Sequence, residues 1–208
     1  MQRAEYTARG PVPQDVVECV QRDTPTPKTG EVLLEMLAAP INPSDVLTLT
    51  GQYGMLPPLP AVGGNEGIGR VAALGDGVTT VVVGQRVLLP VGSGTWASHL
   101  LVPAAGLMAL PPVGDPLQLA MMTVNPPTAS LLLSEFVTLT PGDWVIQNVA
   151  NSAVGRLLIV LARQRGLRTV NVVRRADLSD DLKALGADIV VADGDDLAAR
   201  VAKATGDA

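Results

Sequence analysis

Between Trp144 and Ala204 the chain alternates short, β-branched apolar runs with longer amphipathic ones, and this alternation limits its fold more tightly than any other feature. It predicts strand Trp144 to Val149, helix Ala153 to Arg165, strand Thr169 to Val173, helix Leu178 to Leu185, strand Ile189 to Val191 and helix Leu197 to Ala204. Repeated strand–helix–strand units require parallel strands with right-handed crossovers, and ligands of such sheets lie at the carboxyl ends of the strands. A further helix over about 116–134 leads into this region. Before "PPVGDP" the pattern differs: short runs such as "EVLLEMLAAPI", "GIGRVAALG" and "QRVLLPV" stand between Pro and Gly, which suits short strands and turns in a β-rich, barrel-like unit. The expected organisation is two domains, 1–115 and 116–208.

Composition excludes several roles. With 47% hydrophobic and 17% charged residues, and no run of 18 apolar residues, the chain can build a core but offers no membrane-spanning segment. Its net charge is −5 and its Lys and Arg are scattered, whereas a nucleic-acid surface needs concentrated basic charge. "MQRAEYTARGPVPQDVVECV" has no basic segment followed by an apolar one, and a single cysteine, Cys19, cannot form an intramolecular disulfide. A cytoplasmic location is the expectation.

The first strand of the alternating region runs into "VIQNVANSAVGRLLIVLA". A dinucleotide turn needs small residues at three places, for the tight turn, the approach to pyrophosphate and helix–strand packing. Ala150, Ser152 and Gly155 hold those places here. An ordinary turn with Ser152 as helix N-cap uses the same unpaired N–H groups and is the competing explanation. The second strand ends at Arg174 and Arg175, where an NAD site usually has a carboxylate. Cations there suit a 2′-phosphate and favour NADPH; a solvated helix entry beside Asp177 and Asp180 is the alternative. In "INPSDVLTLTGQYG" the loop tyrosine, Tyr53, belongs to a chain with only two Tyr, two Trp and one Phe. A chemical role or a ring covering a cleft would each account for it.

Taken in order, "INPSD", "GGNEGIGRV", "PGDWVIQN", "NSAVG" and "LRTVNVVR" resemble the medium-chain dehydrogenase/reductases, and among them the zinc-independent 2-enoyl thioester reductases and quinone oxidoreductases. The resemblance implies an α/β chain with a GroES-like β-rich catalytic domain followed by a doubly wound Rossmann domain. Zinc-dependent members carry a Cys in the loop matched by "INPSD" and a His in the segment matched by "GNE". This chain has Asn42-Pro43 and Asn65 there, and its one Cys and one His stand at 19 and 99, so no catalytic zinc set can form. The resemblance implies that Tyr53 is catalytic, donating to the charge that develops on an enoyl thioester, that Asn125 serves the nicotinamide side of NADPH, and that Asn151, Ser152, Ala153, Val154 and Gly155 approach the pyrophosphate. An Asn before two prolines is also what a tight turn selects. Asp45 and Glu66 read as hydrogen-bonding supports, His99 as a core or edge-strand residue, Cys19 as an inert small hydrophobe and Met121-Met122 as gap fillers.

Only about three of the roughly six strands of a doubly wound domain can be counted before "ATGDA". The Rossmann domain therefore reads as truncated, and the chain as a fragment or as one whose sheet edge another chain covers. The expected activity is NADPH-dependent reduction of a trans-2-enoyl thioester, with a quinone as rival substrate and a truncated, noncatalytic nucleotide-binding protein as the other alternative. The full-length protein is expected to be a homodimer without nucleic-acid or membrane partners.

Overall fold

A computed structural model describes residues 1–206, which form two compact units, Met1–Val124 and the residues from Asn125 onward. In the first, β1 (Gln2–Tyr6) pairs antiparallel with β2 (Glu18–Gln21). It is followed by β3 (Glu31–Ala38), α1 (Pro43–Thr50) and β4 (Ala61–Val62), and β4 closes a three-stranded sheet on the other side of β1. Next come β5 (Ile68–Leu74), β6 (Arg86–Leu88), β7 (His99–Pro103) and β8 (Met108–Ala109), which with β3 form a five-stranded antiparallel sheet in the order β7-β3-β5-β6-β8. The core of this sheet is β-branched and aliphatic: Val32, Leu34, Val71, Val81, Val87, Leu89 and Val102 pack together with little or no exposure. Fully burying each such side chain contributes about 1.5–3 kcal/mol, which is how a chain so poor in aromatics fills its interior. His99 opens β7, an edge strand, where its Nδ1 lies 3.2 Å from Ser98 Oγ. Cys19 is exposed on β2 rather than packed as a small hydrophobe.

The helix predicted over 116–134 is two helices, α2 (Pro116–Leu119) and α3 (Asn125–Leu132). Pro126 and Pro127 have no N–H to give to an i−4 carbonyl and their rings collide with the preceding turn, so a helix can begin at them but cannot run through them. The intervening turn is tied to the first unit. Ala120 packs with Ile68 and Leu88, and the N–H groups of Thr123 and Val124 donate to Glu66.

The second unit continues with β9 (Trp144–Gln147), α4 (Ala153–Gln164), β10 (Arg168–Val173), α5 (Ser179–Leu185), β11 (Ile189–Ala192) and α6 (Leu197–Thr205). The three strands are parallel in the order β11-β10-β9, as the alternation requires. β9 ends two residues short of the predicted Val149 because Val149 has φ +49° and turns the chain out of the sheet. Helix α5 starts at Ser179, after a single 3-10 turn over Ala176–Leu178. Ile159, Val173, Leu182, Ala150 and Ala187 form one side of the core, and Leu158, Ala162, Leu167, Ala129 and Leu133 the other. Among the described residues no helix is long and apolar enough to cross a membrane.

Candidate functional site

The first unit contributes a knot of amides and carboxylates. Asp45, 3% exposed, accepts from Asn42 N through Oδ2 (2.7 Å) and from Asn65 N through Oδ1 (3.0 Å). It therefore caps the start of α1 and holds the 64–66 loop against that start. Glu66, fully buried, accepts through Oε1 from Asn42 Nδ2 (2.9 Å) and through Oε2 from Thr123 N (3.2 Å), Thr123 Oγ1 (3.0 Å) and Val124 N (3.0 Å). Burial pushes the Asp45 carboxyl above the usual carboxylate range and the Glu66 charge adds to the rise, while the N–H bonds from Asn42 and Asn65 pull it down. Both acids act as supports, as their sequence context predicts. Asn42 and Asn65 stand where zinc-dependent members of the resembled family carry ligands. Here the Asn42 amide is spent on Glu66, and Asn65 Nδ2 reaches Ser44 Oγ at 3.4 Å. Among the described residues no group of three or more His, Cys, Asp and Glu side chains could hold a metal ion.

Helix α1 carries this anchorage toward Tyr53. It ends at Gly51 in the left-handed conformation (φ +77°), which a side chain would strain. The chain then folds back so that the N–H groups of Gln52 (2.8 Å) and Tyr53 (3.1 Å) both donate to Leu47 O. The Tyr53 side chain is 38% exposed, and Ile41, Val46, Leu47, Met55, Leu56 and Leu59 are exposed apolar residues of the same stretch of sequence. A phenol in such surroundings can meet a ligand with little cost of desolvating its own unit.

In the second unit, a groove of about 750 Å³ runs along β9, past Val145 and Ile146, to the strand's carboxyl end. Gln147, Asn148, Val149, Ser152, Val154, Gly155, Asp193 and others line it. Ser152 N-caps α4, accepting from Gly155 N at 3.1 Å, so the capping role is present. The first-turn N–H groups of Ala153 and Val154 have no intrahelical acceptor, as at any helix start. Gly155 is required by contact: a Cβ there would lie 2.6 Å from Ala150 O. At the end of β10, Arg175 Nε pairs with Asp177 Oδ1 at 3.5 Å while both remain exposed, and Arg174 is exposed with no ion-pair partner among the described residues. Arg174 and Arg175 thus follow β10, and Asn151 to Gly155 follow β9, at the same end of one parallel sheet. Asn125 opens α3 in this unit with 8% of its surface exposed.

Two features lie outside the sequence reading. Gln147 Nε2 donates to both Gly155 O (3.0 Å) and Asn171 Oδ1 (2.8 Å), and Asn171 Nδ2 donates to Thr169 Oγ1 (2.9 Å) and Ile189 O (3.1 Å). The signal was present as two amides in otherwise apolar strands, and Gln147 and Asn171 prove to be register partners. Val149 is the other feature. A β-branched residue in the left-handed region is a genuine outlier, and here its side chain is 57% exposed at the groove. We expect Val149→Gly to raise the stability of the chain by up to about 1 kcal/mol, since the left-handed penalty on an L-residue exceeds the extra entropy of glycine in the unfolded state. Urea denaturation checks this, and a loss of stability would show that the Val149 side chain packs.

A family model for the alcohol dehydrogenase GroES-like domain matches residues 28–112. The human protein named enoyl-[acyl-carrier-protein] reductase, mitochondrial, is 46% identical over 185 residues, which are 86% of this chain and 49% of that protein. The chain therefore spans about half the length of the curated relatives it matches. Among solved structures, a Bacillus thuringiensis protein assigned as an NADPH:quinone reductase superposes with a TM-score of 0.88 at 31% identity, over 99% of this chain and 62% of its own. The mitochondrial 2-enoyl thioester reductase Etr1p/Etr2p heterodimer from Candida tropicalis gives 0.82 at 32% identity, over 92% and 60%, and Etr1p is also known in complex with NADP and crotonyl-CoA.

Proposed function

Because the chain belongs to the medium-chain dehydrogenase/reductase superfamily, in its zinc-independent enoyl reductase branch, we propose that the whole protein is an NADPH-dependent reductase of trans-2-enoyl thioesters. The observation that carries the reading is the first unit's construction. Asn42, whose side-chain amide is bonded to buried Glu66, and Asn65, whose backbone N–H is bonded to buried Asp45, occupy the positions of metal ligands, and a phenol stands on the adjoining loop. A carbonyl reduction would lack its usual electrophile in such a site, whereas an activated C=C bond needs only a donor for the developing enolate. We assign the catalytic role to the first unit and nucleotide binding to the second.

NADPH held in the second unit would supply the hydride for Cβ of the enoyl group. The Tyr53 hydroxyl is placed to donate to charge developing on the thioester oxygen, or to deliver the proton that completes Cα. Asn42, Asp45 and Glu66 hold the start of α1, and the Leu47 carbonyl holds the backbone of Tyr53. In the second unit the first-turn N–H groups after Ser152 suit a pyrophosphate, Gly155 lets α4 approach β9, and Asn125 serves the nicotinamide side. The reading of this groove as a dinucleotide site is supported by its volume and by its reaching the carboxyl end of β9 beside the α4 start, with Arg174 and Arg175 at the same end of the sheet after β10. Dimerisation of the full-length protein and a cytoplasmic location belong to the same proposal. Dimerisation is supported by the heterodimer of Candida tropicalis, and the single cysteine fits a reducing compartment.

NADPH oxidation by the full reading frame, with a crotonyl thioester and separately with a benzoquinone, tests the reading. Preference for the quinone would support the activity assigned to the Bacillus thuringiensis neighbour, and inactivity toward both would leave a nucleotide-binding protein. Replacing Arg174 and Arg175 by Ala is expected to weaken NADPH binding by about 1.5–3 kcal/mol, the worth of charge-assisted phosphate contacts, with NADH binding little changed. Titration calorimetry with both cofactors measures the difference, and equal losses would remove the 2′-phosphate assignment.

A further inference from the structure

We infer that Arg9 is a positioning residue for Tyr53, a single side chain that clasps both ends of the loop on which the tyrosine stands. This rests on the reading of Tyr53 as the donor to the substrate. At the start of the loop, the stem of Arg9 packs against Gly51, where a Cβ would lie 3.4 Å from Arg9 Cδ and 3.7 Å from Arg9 Cβ. At its end, Arg9 Nη2 donates to the carbonyl of Pro57. The next residue ties the same segment to α1, with Gly10 N donating to Leu49 O at 3.2 Å. Gly51 and Pro57, which flank Tyr53 on both sides, are thereby fixed to one strut, while the Gln52 and Tyr53 amides are anchored on Leu47 O.

The electrostatics around the strut agree with this placement. Tyr6, buried at the end of β1, has its phenol pushed up by burial, and the neighbouring Arg9 guanidinium pulls it back down. The short reach from Leu47 to Pro57 would otherwise let the loop open at either end, and an ångström of displacement at a reacting group is enough to cost turnover.

The test uses amide hydrogen exchange of this chain and turnover of the full reading frame. Arg9→Met keeps the apolar stem and removes the guanidinium, so exchange at Gln52 and Tyr53 is expected to accelerate about tenfold while amides of β10 stay unchanged. Arg9→Lys, which restores a donor, is expected to recover part of the protection. In turnover, Arg9→Met is expected to lower kcat about tenfold at unchanged NADPH affinity, and to add nothing in a Tyr53→Phe background. Unchanged exchange at Gln52 and Tyr53 in a folded Arg9→Met variant overturns the clasp. An equal loss of kcat in both backgrounds shows that Arg9 does not act through the Tyr53 hydroxyl, and overturns the positioning role. If Tyr53→Phe alone turns over normally, the reading of Tyr53 fails and positioning for catalysis fails with it, while the exchange result still decides whether Arg9 closes the loop.

Discussion

Tyr53→Phe in the full-length protein is expected to lower the rate of enoyl thioester reduction by roughly 10²- to 10³-fold while leaving NADPH affinity nearly unchanged. The substitution preserves the ring and its contacts and removes one hydroxyl, so a ring that only lines a cleft predicts almost normal turnover. The loss should appear in kcat and kcat/KM alike, because the hydrogen bond strengthens only as charge moves onto the thioester oxygen. The buried supports contribute position, and the hydroxyl is the sole group of that loop that can supply a proton. Turnover within about threefold of the parent, less than 1 kcal/mol of transition-state energy, would mean that the proton comes from another source.

The largest effect on stability is expected from Glu66→Ala. The carboxylate takes four hydrogen bonds from Asn42, Thr123 and Val124 with no exposure to water. Removing it strands those donors in the interior, at a cost of about 3–5 kcal/mol. Glu66→Gln is expected to lose less, because one amide oxygen can still face Thr123 and Val124 while its NH₂ repels the Asn42 amide. Chemical denaturation of this chain measures both, and a loss below about 1 kcal/mol for Glu66→Ala would show that water or a relaxed backbone replaces the carboxylate.

The parallel sheet was legible because hydrophobic period and helix signals agreed over a long span. Strands β9 to β11 and helices α4 to α6 lie within a few residues of their predicted ranges. The failed helix over 116–134 shows where composition misleads. Its apolar content suited a helix throughout, but the two prolines and a distant acceptor, Glu66, took the backbone groups that a continuous helix would need. Glu66 and Asp45 could be named as supports from their neighbours in sequence, yet apart from the local cap between Asp45 and Asn42 their partners come from segments 20 to 58 residues away, which no local pattern reports. Arg9 was invisible for the same reason. It is an ordinary arginine in a polar segment until the fold brings Gly51 and Pro57 to it. At Val149 the sequence suggested a strand, since nothing in a valine announces a left-handed turn, and the geometry of the groove prevailed over the residue's own preference.

The amide pair Gln147 and Asn171 has a consequence for how the sheet assembles. Parallel apolar strands can slide past each other by two residues and still bury valines against valines, so hydrophobicity alone selects their alignment weakly. In β9 and β10 such a slip would part Gln147 from Asn171 and leave the buried Asn171 Oδ1 without its donor, whereas the native alignment satisfies it while Asn171 Nδ2 reaches Thr169 and the backbone of β11. The pair thus works as a keyed joint between strands, as a buried asparagine fixes the alignment of a coiled coil. Because Gln147 also holds the Gly155 carbonyl, the strand alignment and the position of the turn that opens α4 are set together.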